Sequence, residues 1–372
     1  MGLLDWLIVI IPVCFVLGMG MYSRRYLRGV ADFLAAGRIC GRYVISVGDV
    51  ANALSIIGLV AYVEVHYKTG FALAFWQNLT APLGIVMGLL GYCTYRFRET
   101  KAMSLGQFLE MRYNRTLRIF AAALRSLSEM LANMIMPAVA ARFFIYFLDL
   151  PRSFNFLGIQ MPTFMVVVII CLSLAITNIC MGGTMTMIIT DAVQGMFCFP
   201  LIVIFVVFIL YKFSWTQEII PVMADRVPGE SFLNPYDIAN LRDFNLFLVA
   251  LTIFTSVFHR ASWIGAGTST AAKSPHEQKM AGLLGTWRNS VVAILYVLIG
   301  VAIITLLNHR NWAPEAKVVR DNISVRIAEE LVDNPVEREI LTSRIKAIPE
   351  QYHEIGVDEP LSQTKNLVAS QS

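Results

Sequence analysis

The sequence predicts an all-α integral membrane fold with about eight transmembrane helices, and three observations carry that reading. Of 372 residues, 56% are hydrophobic and only 15% are charged, against about 25% charged in soluble domains. The mean hydropathy is +0.61. Apolar runs long enough for the roughly 20 residues that cross a hydrocarbon core recur along the chain, with most of the charge gathered between them.

The eight runs are residues 3–22, 43–63, 72–95, 117–147, 162–182, 188–211, 244–267 and 280–307. The first, within MGLLDWLIVIIPVCFVLGMGMY, has no basic leader, and its positive charge follows it. It therefore reads as a retained span and not as a cleaved signal peptide. Trp6 stands where a myristoylation motif needs Ser or Thr, so no lipid anchor is implied. The fourth run is long enough to extend into water at one end. The fifth and sixth are separated by a short turn near Gly182 and Gly183.

Residues 1–310 are expected to form the membrane domain, and 311–372 a polar extramembrane tail. The tail has helical spacing at Ile323, Ile327 and Leu331, and again at Ile340, Leu341 and Ile345. Asn322-Ile323-Ser324 fits a glycosylation acceptor. The six cysteines lie mostly in apolar runs without CxxC spacing, and read as small core hydrophobes.

Loop charge sets the orientation. Arg24, Arg25, Arg28, Arg38 and Arg42 lie between spans 1 and 2, and Arg96, Arg98, Lys101, Arg112 and Arg115 between spans 3 and 4. Lys273 and Lys279 follow span 7, while the alternate loops are poorer in basic residues. The positive-inside rule puts those three loops in the cytoplasm and the N-terminus outside.

Function is carried by polar residues inside the apolar runs. Val44–Val63, VISVGDVANALSIIGLVAYV, holds Asp49, Asn52 and Ser55 near its middle. A carboxylate at the centre of a span costs about 2.5–3.5 kcal/mol on insertion scales, so a cation, a bound solute or a water-filled path must offset it. Asp191, flanked by Thr190 and Gln194 in span 6, reads either as a cap on the helix start or as an oxygen ligand for a hard cation such as Na+. Arg125 and Glu129, four apart, can pair on one face of span 4. His259 and Arg260, inside TSVFHRASWIGAG, suggest an interrupted span 7, tolerated where it faces protein or a cavity. Arg288 at the start of span 8 can reach the membrane surface by snorkelling. Gly84, Gly88 and Gly91 form a small-residue stripe suited to close helix packing. Gln77, Asn78 and Thr80 make a polar cluster on the same span. The chain shows no HExxH, no GxSxG and no paired-carboxylate cluster, so an enzyme is not expected.

Three segments resemble the sodium:solute symporter family. DFLAAGR (Asp32–Arg38) is similar to a D-[YF]-x-x-G-G-R turn, and span 2 itself is similar to the family's. GGTMTMIITDAVQ (Gly182–Gln194) matches G-G-x-x-A-V-x-x-T-D-x-x-Q except at Thr186 and Met187. Further support comes from TAAKSPHEQK (Thr270–Lys279), which is similar to the loop after the family's seventh helix. The resemblance implies a LeuT-type inverted-repeat transporter fold with one extra N-terminal helix. Its first repeat would cover about 43–211, and its second, incomplete, would begin about 244.

The same resemblance implies Na+ as the coupling ion, with no other cofactor or metal, and a small organic solute: a sugar, amino acid or carboxylate. It places the backbone carbonyls of Ala51 and Leu54, with Asp191, at the sodium site. Asn52, Ser55, Gln77, Thr255, Phe258, His259, Trp263 and Arg288 become candidates for the solute cavity, and Asp49 a gate. The expected setting is a bacterial inner membrane, with the lipid bilayer as partner and no nucleic acid. Family members run to about thirteen helices, and the ninth normally adds Ser and Thr hydroxyls to the sodium site. The chain is therefore expected to be a fragment holding roughly half of those ligands. A symporter-like sensory domain and a non-functional remnant are the alternatives.

Overall fold

The computed structural model describes residues 3–148, 150–151, 153–156, 159–240, 247, 250–251, 253–254, 267–332 and 334–346. α1 (Leu3–Ser23) is the first span. A short helix, α2 (Val30–Ala35), and three left-handed residues, Ala36, Gly37 and Arg38, lead to α3 (Arg42–Ala53). There follow α4 (Ile56–Asn78), α5 (Ala81–Leu90) and α6 (Thr94–Glu99). α7 (Leu105–Arg112) and α8 (Arg115–Phe147) each begin on a side-chain cap. Ser104 accepts from the Gln107 N–H and Asn114 from the Leu117 N–H, meeting donors that a helix start leaves without partners.

An antiparallel ribbon, β1 (Ser153–Phe156) with β2 (Ile159–Pro162), sets Phe154 opposite Met161. Next come α9 (Thr163–Lys212), a π-helical turn at Trp215–Ile219, and α10 (Ile220–Ala224). α11 (Gly267–Ala271), α12 (Pro275–Asn308), α13 (Ala313–Leu331) and α14 (Pro335–Lys346) complete the helices described.

Seven of the eight expected spans fall wholly or partly on five continuous apolar stretches among the described residues: Trp6–Tyr26, Ile56–Glu99, Arg115–Phe147, Thr163–Lys212 and Pro275–Asn308. Spans 5 and 6 merge within α9, and the latter part of span 2 runs on into span 3. Most of span 7 lies outside the described residues. The merged stretches are broken by glycine, at Gly70 (φ 56, ψ −137) in α4 and at Gly183 (φ 54, ψ −141) in α9. This mirror image of extended backbone is open to glycine and closed to residues with a Cβ.

The chain forms two compact units. The first comprises Met1–Val60, Thr80–Val203 and Thr252–Val292. Its buried cluster is Ala36, Cys40, Ile45, Ile188, Ala271, Ala272 and Ala281. Backbone bonds join the turn before span 2 to the loop after span 7: Cys40 N–H donates to the Ala271 carbonyl at 3.1 Å and Lys273 N–H to the Cys40 carbonyl at 2.9 Å. Arg98 Nε adds a bond to the Ala272 carbonyl at 2.8 Å. Arg42 pairs with Glu277 at 2.5 Å, and its backbone N–H donates to the same carboxylate at 2.8 Å. Two of the segments that resemble the symporter family are thus tied together.

The glycine stripe packs as its spacing predicts at Gly88, where a Cβ would lie 2.9 Å from Leu283, so α5 lies close against α12. Gly91 instead ends α5 as a left-handed cap (φ 64, ψ 29). Arg125 and Glu129 form an exposed pair at 3.8 Å on α8. Around them Leu124, Met130, Leu131 and Ile135 are exposed apolar residues, as a lipid-facing helix requires.

The second unit comprises Ala61–Leu79, Ile204–Leu251 and Ala293–Ser372. In it Phe232 is fully buried, and Phe71 N–H donates to its carbonyl at 2.9 Å. Lys346 reaches Asp321 at 3.8 Å between α14 and α13. The Asn322 acceptor triplet lies inside α13, with Ser324 buried and bonded to the Arg320 carbonyl at 2.5 Å.

Candidate functional site

Span 2 departs from regular helix where its polar residues lie. α3 stops at Ala53, Leu54 leaves helical geometry (φ −84, ψ 69), and α4 resumes at Ile56. Leu54 N–H donates to the Val50 carbonyl at 3.0 Å and Leu59 N–H to the Ser55 carbonyl at 2.8 Å. Between those bonds, the carbonyls of Ala51 and Leu54 accept no hydrogen bond among the described residues. A continuous helix would give the Gly58 N–H to Leu54; here it goes to Ser55 Oγ at 2.9 Å. Ser55 therefore caps the resumed helix. Carbonyls without partners at membrane depth are tolerated only where they face protein or a cavity.

Three glycines hold α3 between α9 and α12. A Cβ at Gly48 would lie 3.3 Å from Asp191 Cβ, one at Gly195 would strike the Val47 carbonyl, and one at Gly285 would lie 2.8 Å from Asp49 Oδ2. Asp191 thus meets span 2 side-on. It lies about two turns past Gly183, which removes it from a role capping the helix start. Asn52 Nδ2 donates to Asp191 Oδ2 at 3.4 Å, a long and therefore weak bond. Asp49 is half-buried and has no hydrogen bond or ion pair among the described residues.

Arg288 points toward α3. Half-buried, it donates from its guanidinium to Ser46 Oγ on α3, and Ser46 is fully buried. Gln77 stands exposed on the last turn of α4, in the second unit. Thr255, Phe258, His259 and Trp263 lie outside the described residues.

The structure therefore brings Asn52 and Asp191 together, and places the break that frees Ala51 and Leu54 on the same helix pair. Sequence reasoning missed Ser46, Gly195 and Gly285. Gly285 had a signal, since Ala281 and Gly285 make a small-xxx-small pair. Gly195 and Ser46 carried none, being single small residues within apolar runs. Carboxylate, amide and carbonyl oxygens are the donors that a hard cation takes. Among the described residues no Lys or Arg pairs with Asp49 or Asp191 to neutralise them.

A solved structure of a Na+-coupled sialic acid symporter, in a substrate-bound outward-open state with a novel Na+-site, is similar to this chain. The TM-score is 0.64 at 19% identity, covering 94% of this chain and 67% of that one. No family model and no curated protein matches the sequence. At that identity the likeness shows the fold: an all-α membrane transporter fold of the LeuT type. With five long apolar stretches, the chain is a multi-pass membrane protein. The similar structure is that of a transporter and not of an enzyme.

Proposed function

We propose that this chain belongs to the sodium:solute symporter family and forms part of a secondary transporter, in which inward Na+ flow drives uptake of a small organic solute. The N-terminus lies outside and the loops around Arg24–Arg42, Arg96–Arg115 and Lys273–Lys279 lie in the cytoplasm of a bacterial inner membrane. One observation carries the reading. Span 2 breaks so that the Ala51 and Leu54 carbonyls are left without partners, on the helix whose Asn52 meets Asp191. Na+ is held there by the two carbonyls and the Asp191 carboxylate. Further oxygens complete the shell, from the family's ninth helix in the resemblance. Half-helix ends and free carbonyls at the membrane midplane are the usual sites of ions and solute in such folds.

The solute cavity on this reading draws on Asn52, Arg288 and the span 7 residues Thr255, Phe258, His259 and Trp263. His259, Arg260 and Arg288 suit a carboxylate-bearing solute. Because the similar structure is that of a sialic acid symporter, an acidic sugar belongs in any panel. Ser55 supplies the cap of the broken helix, and Asp49 stands as a gate beside Gly285.

The test is radiolabelled uptake by the complete gene product in Na+ against choline buffer, across sugars, amino acids and carboxylates. Uptake above background in Na+ alone is expected; equal uptake in both buffers for every solute sinks sodium coupling. Asp191→Asn is expected to raise the Na+ concentration for half-maximal uptake by about tenfold, the equivalent of about 1.4 kcal/mol. Unchanged sodium dependence removes Asp191 from the site.

A further inference from the structure

The stretch between spans 1 and 2 is built as a separate piece of structure. It comprises α2, the left-handed run Ala36-Gly37-Arg38 and residues 39–41. Arg28 N–H donates to Asp32 Oδ2 at 2.8 Å, and a Cβ on Gly37 would lie 2.8 Å from Asp32 Oδ1, so the carboxylate folds the turn around itself. One end is anchored, because Arg38 donates to the Lys101 carbonyl and Cys40 pairs with the α11 end through the bonds to Ala271 and Lys273.

The other end sits on Gly183. A Cβ there would collide with the Phe33 carbonyl and lie 2.8 Å from its ring, and Thr184 Oγ1 donates to the Leu34 carbonyl at 3.1 Å. That contact is lightly held: Phe33 is 41% exposed and Leu34 43%. Beneath the piece lies Ile188, 3% exposed and packed with Ala36, Cys40 and Ile45. Ile188 is one turn before Asp191 on the same helix, and the stretch runs directly into α3, which carries Ala51, Asn52 and Leu54.

We propose that residues 29–41 are a strap, hinged at Arg38–Cys40 and latched on the Gly183 corner through Phe33 and Leu34, whose release opens the α3–α9 contact at Asp191 to one side of the membrane. The strap governs access to the ion site, and in that respect rests on the sodium reading above. The latch has the weaker grip: one side-chain hydrogen bond and a half-exposed ring, against two backbone bonds and an arginine bond at the hinge. The two helices that meet at the ion site, α3 and the second half of α9, begin on either side of the latch. Lifting the latch therefore frees both together.

The experiment uses the complete gene product with its native cysteines replaced and a single cysteine introduced by Ile188→Cys. Labelling by a membrane-impermeant thiol reagent is followed in right-side-out and inverted vesicles. Phe33→Ala and Thr184→Ala are each expected to speed labelling at least tenfold, and only from the face that carries the strap. Thr184→Ala deletes a single hydroxyl, so it keeps the test in force if Phe33→Ala fails to fold. Labelling rates within twofold of the parent for the folded variants overturn the strap, whatever Na+ does. Faster labelling in the variants, with no slowing of the parent by Na+ relative to choline, keeps the strap and removes sodium from the site beneath it. Equal acceleration from both faces reports a loosened bundle, and also overturns the proposal.

Discussion

The two glycine corners have nearly the same backbone, Gly70 at φ 56 and ψ −137 and Gly183 at φ 54 and ψ −141, and each receives a phenylalanine. At Gly70 the partner is Phe232, fully buried, with its Cα only 3.1 Å from where a Cβ would stand. A backbone bond from Phe71 fixes it, and the Arg226 guanidinium covers its ring at 3.6 Å. Burial pushes the Arg226 pKa down to about 10, which leaves it a cation at neutral pH. Trp76 Nε1 adds a bond to the Pro235 carbonyl at 2.8 Å. At Gly183 the partner is Phe33, 41% exposed, with one hydroxyl bond beside it. The same demand from the backbone is met once by a core and once by a surface contact. Glycine makes the corner, and burial decides whether it is permanent.

The largest expected effect follows from that difference in burial. Phe232→Ala should cost about 3–5 kcal/mol, the range for emptying a buried aromatic site, and Phe33→Ala no more than about 1–2 kcal/mol because half its surface is already open. Thermal unfolding in detergent measures both, and equal losses erase the contrast. Next come the glycines. Gly70→Ala and Gly183→Ala each force a Cβ into a conformation that costs on the order of 1–3 kcal/mol. Gly70→Ala should be the worse, since Phe232 has nowhere to retreat while the Phe33 ring can swing outward. The reverse order breaks the comparison.

A smaller effect concerns the non-glycine residues held left-handed in the strap, Ala36 (φ 47) and Arg38 (φ 57); in residues 213–240 the one positive-φ residue is Gly229. Ala36→Gly should stabilise by about 1 kcal/mol, sharpening the view that the strap carries backbone strain which the Phe232 loop lacks. No gain in melting temperature means that the surrounding packing sets that angle free of strain. The smallest effect is chemical. Burial pushes the Cys40 thiol up to about 11, so a maleimide at neutral pH should modify it slowly, with a few-fold acceleration in Phe33→Ala. Rapid labelling of the parent at pH 7 contradicts the buried hinge.

Much of this architecture was legible in composition and period. Apolar runs placed the spans. The merging of spans was less legible, because a glycine between two apolar runs looks alike whether it serves packing or a corner. At the site, Asn52 and Asp191 could be named because polar residues in apolar runs stand out, but nothing in the sequence paired one with the other; that contact comes from the packing of α3 on α9. The α12 contribution was hidden. Gly285 acts through a missing atom, and Ser46 becomes important only when Arg288 reaches it. Arg288 was read both as a chain able to snorkel and as a cavity candidate, and neither reading foresaw its bond to the buried Ser46 hydroxyl. The solute-facing part of span 7 lies outside the described residues, so Thr255, Phe258, His259 and Trp263 remain sequence expectations.

The glycines at 48, 195 and 285 have a mechanical consequence. Helices usually interlock through knobs and holes, so one cannot roll on another without lifting side chains out of their seats. Where α3 meets α9 and α12 at these three levels, Asp191, Val47 and Asp49 rest against bare backbone, and the interlocking is left to Ile45 and Ile188 nearer the start of α3. The glycine levels let the helices approach closely while offering little friction, so rotation about the α3 axis is resisted chiefly at its first turn.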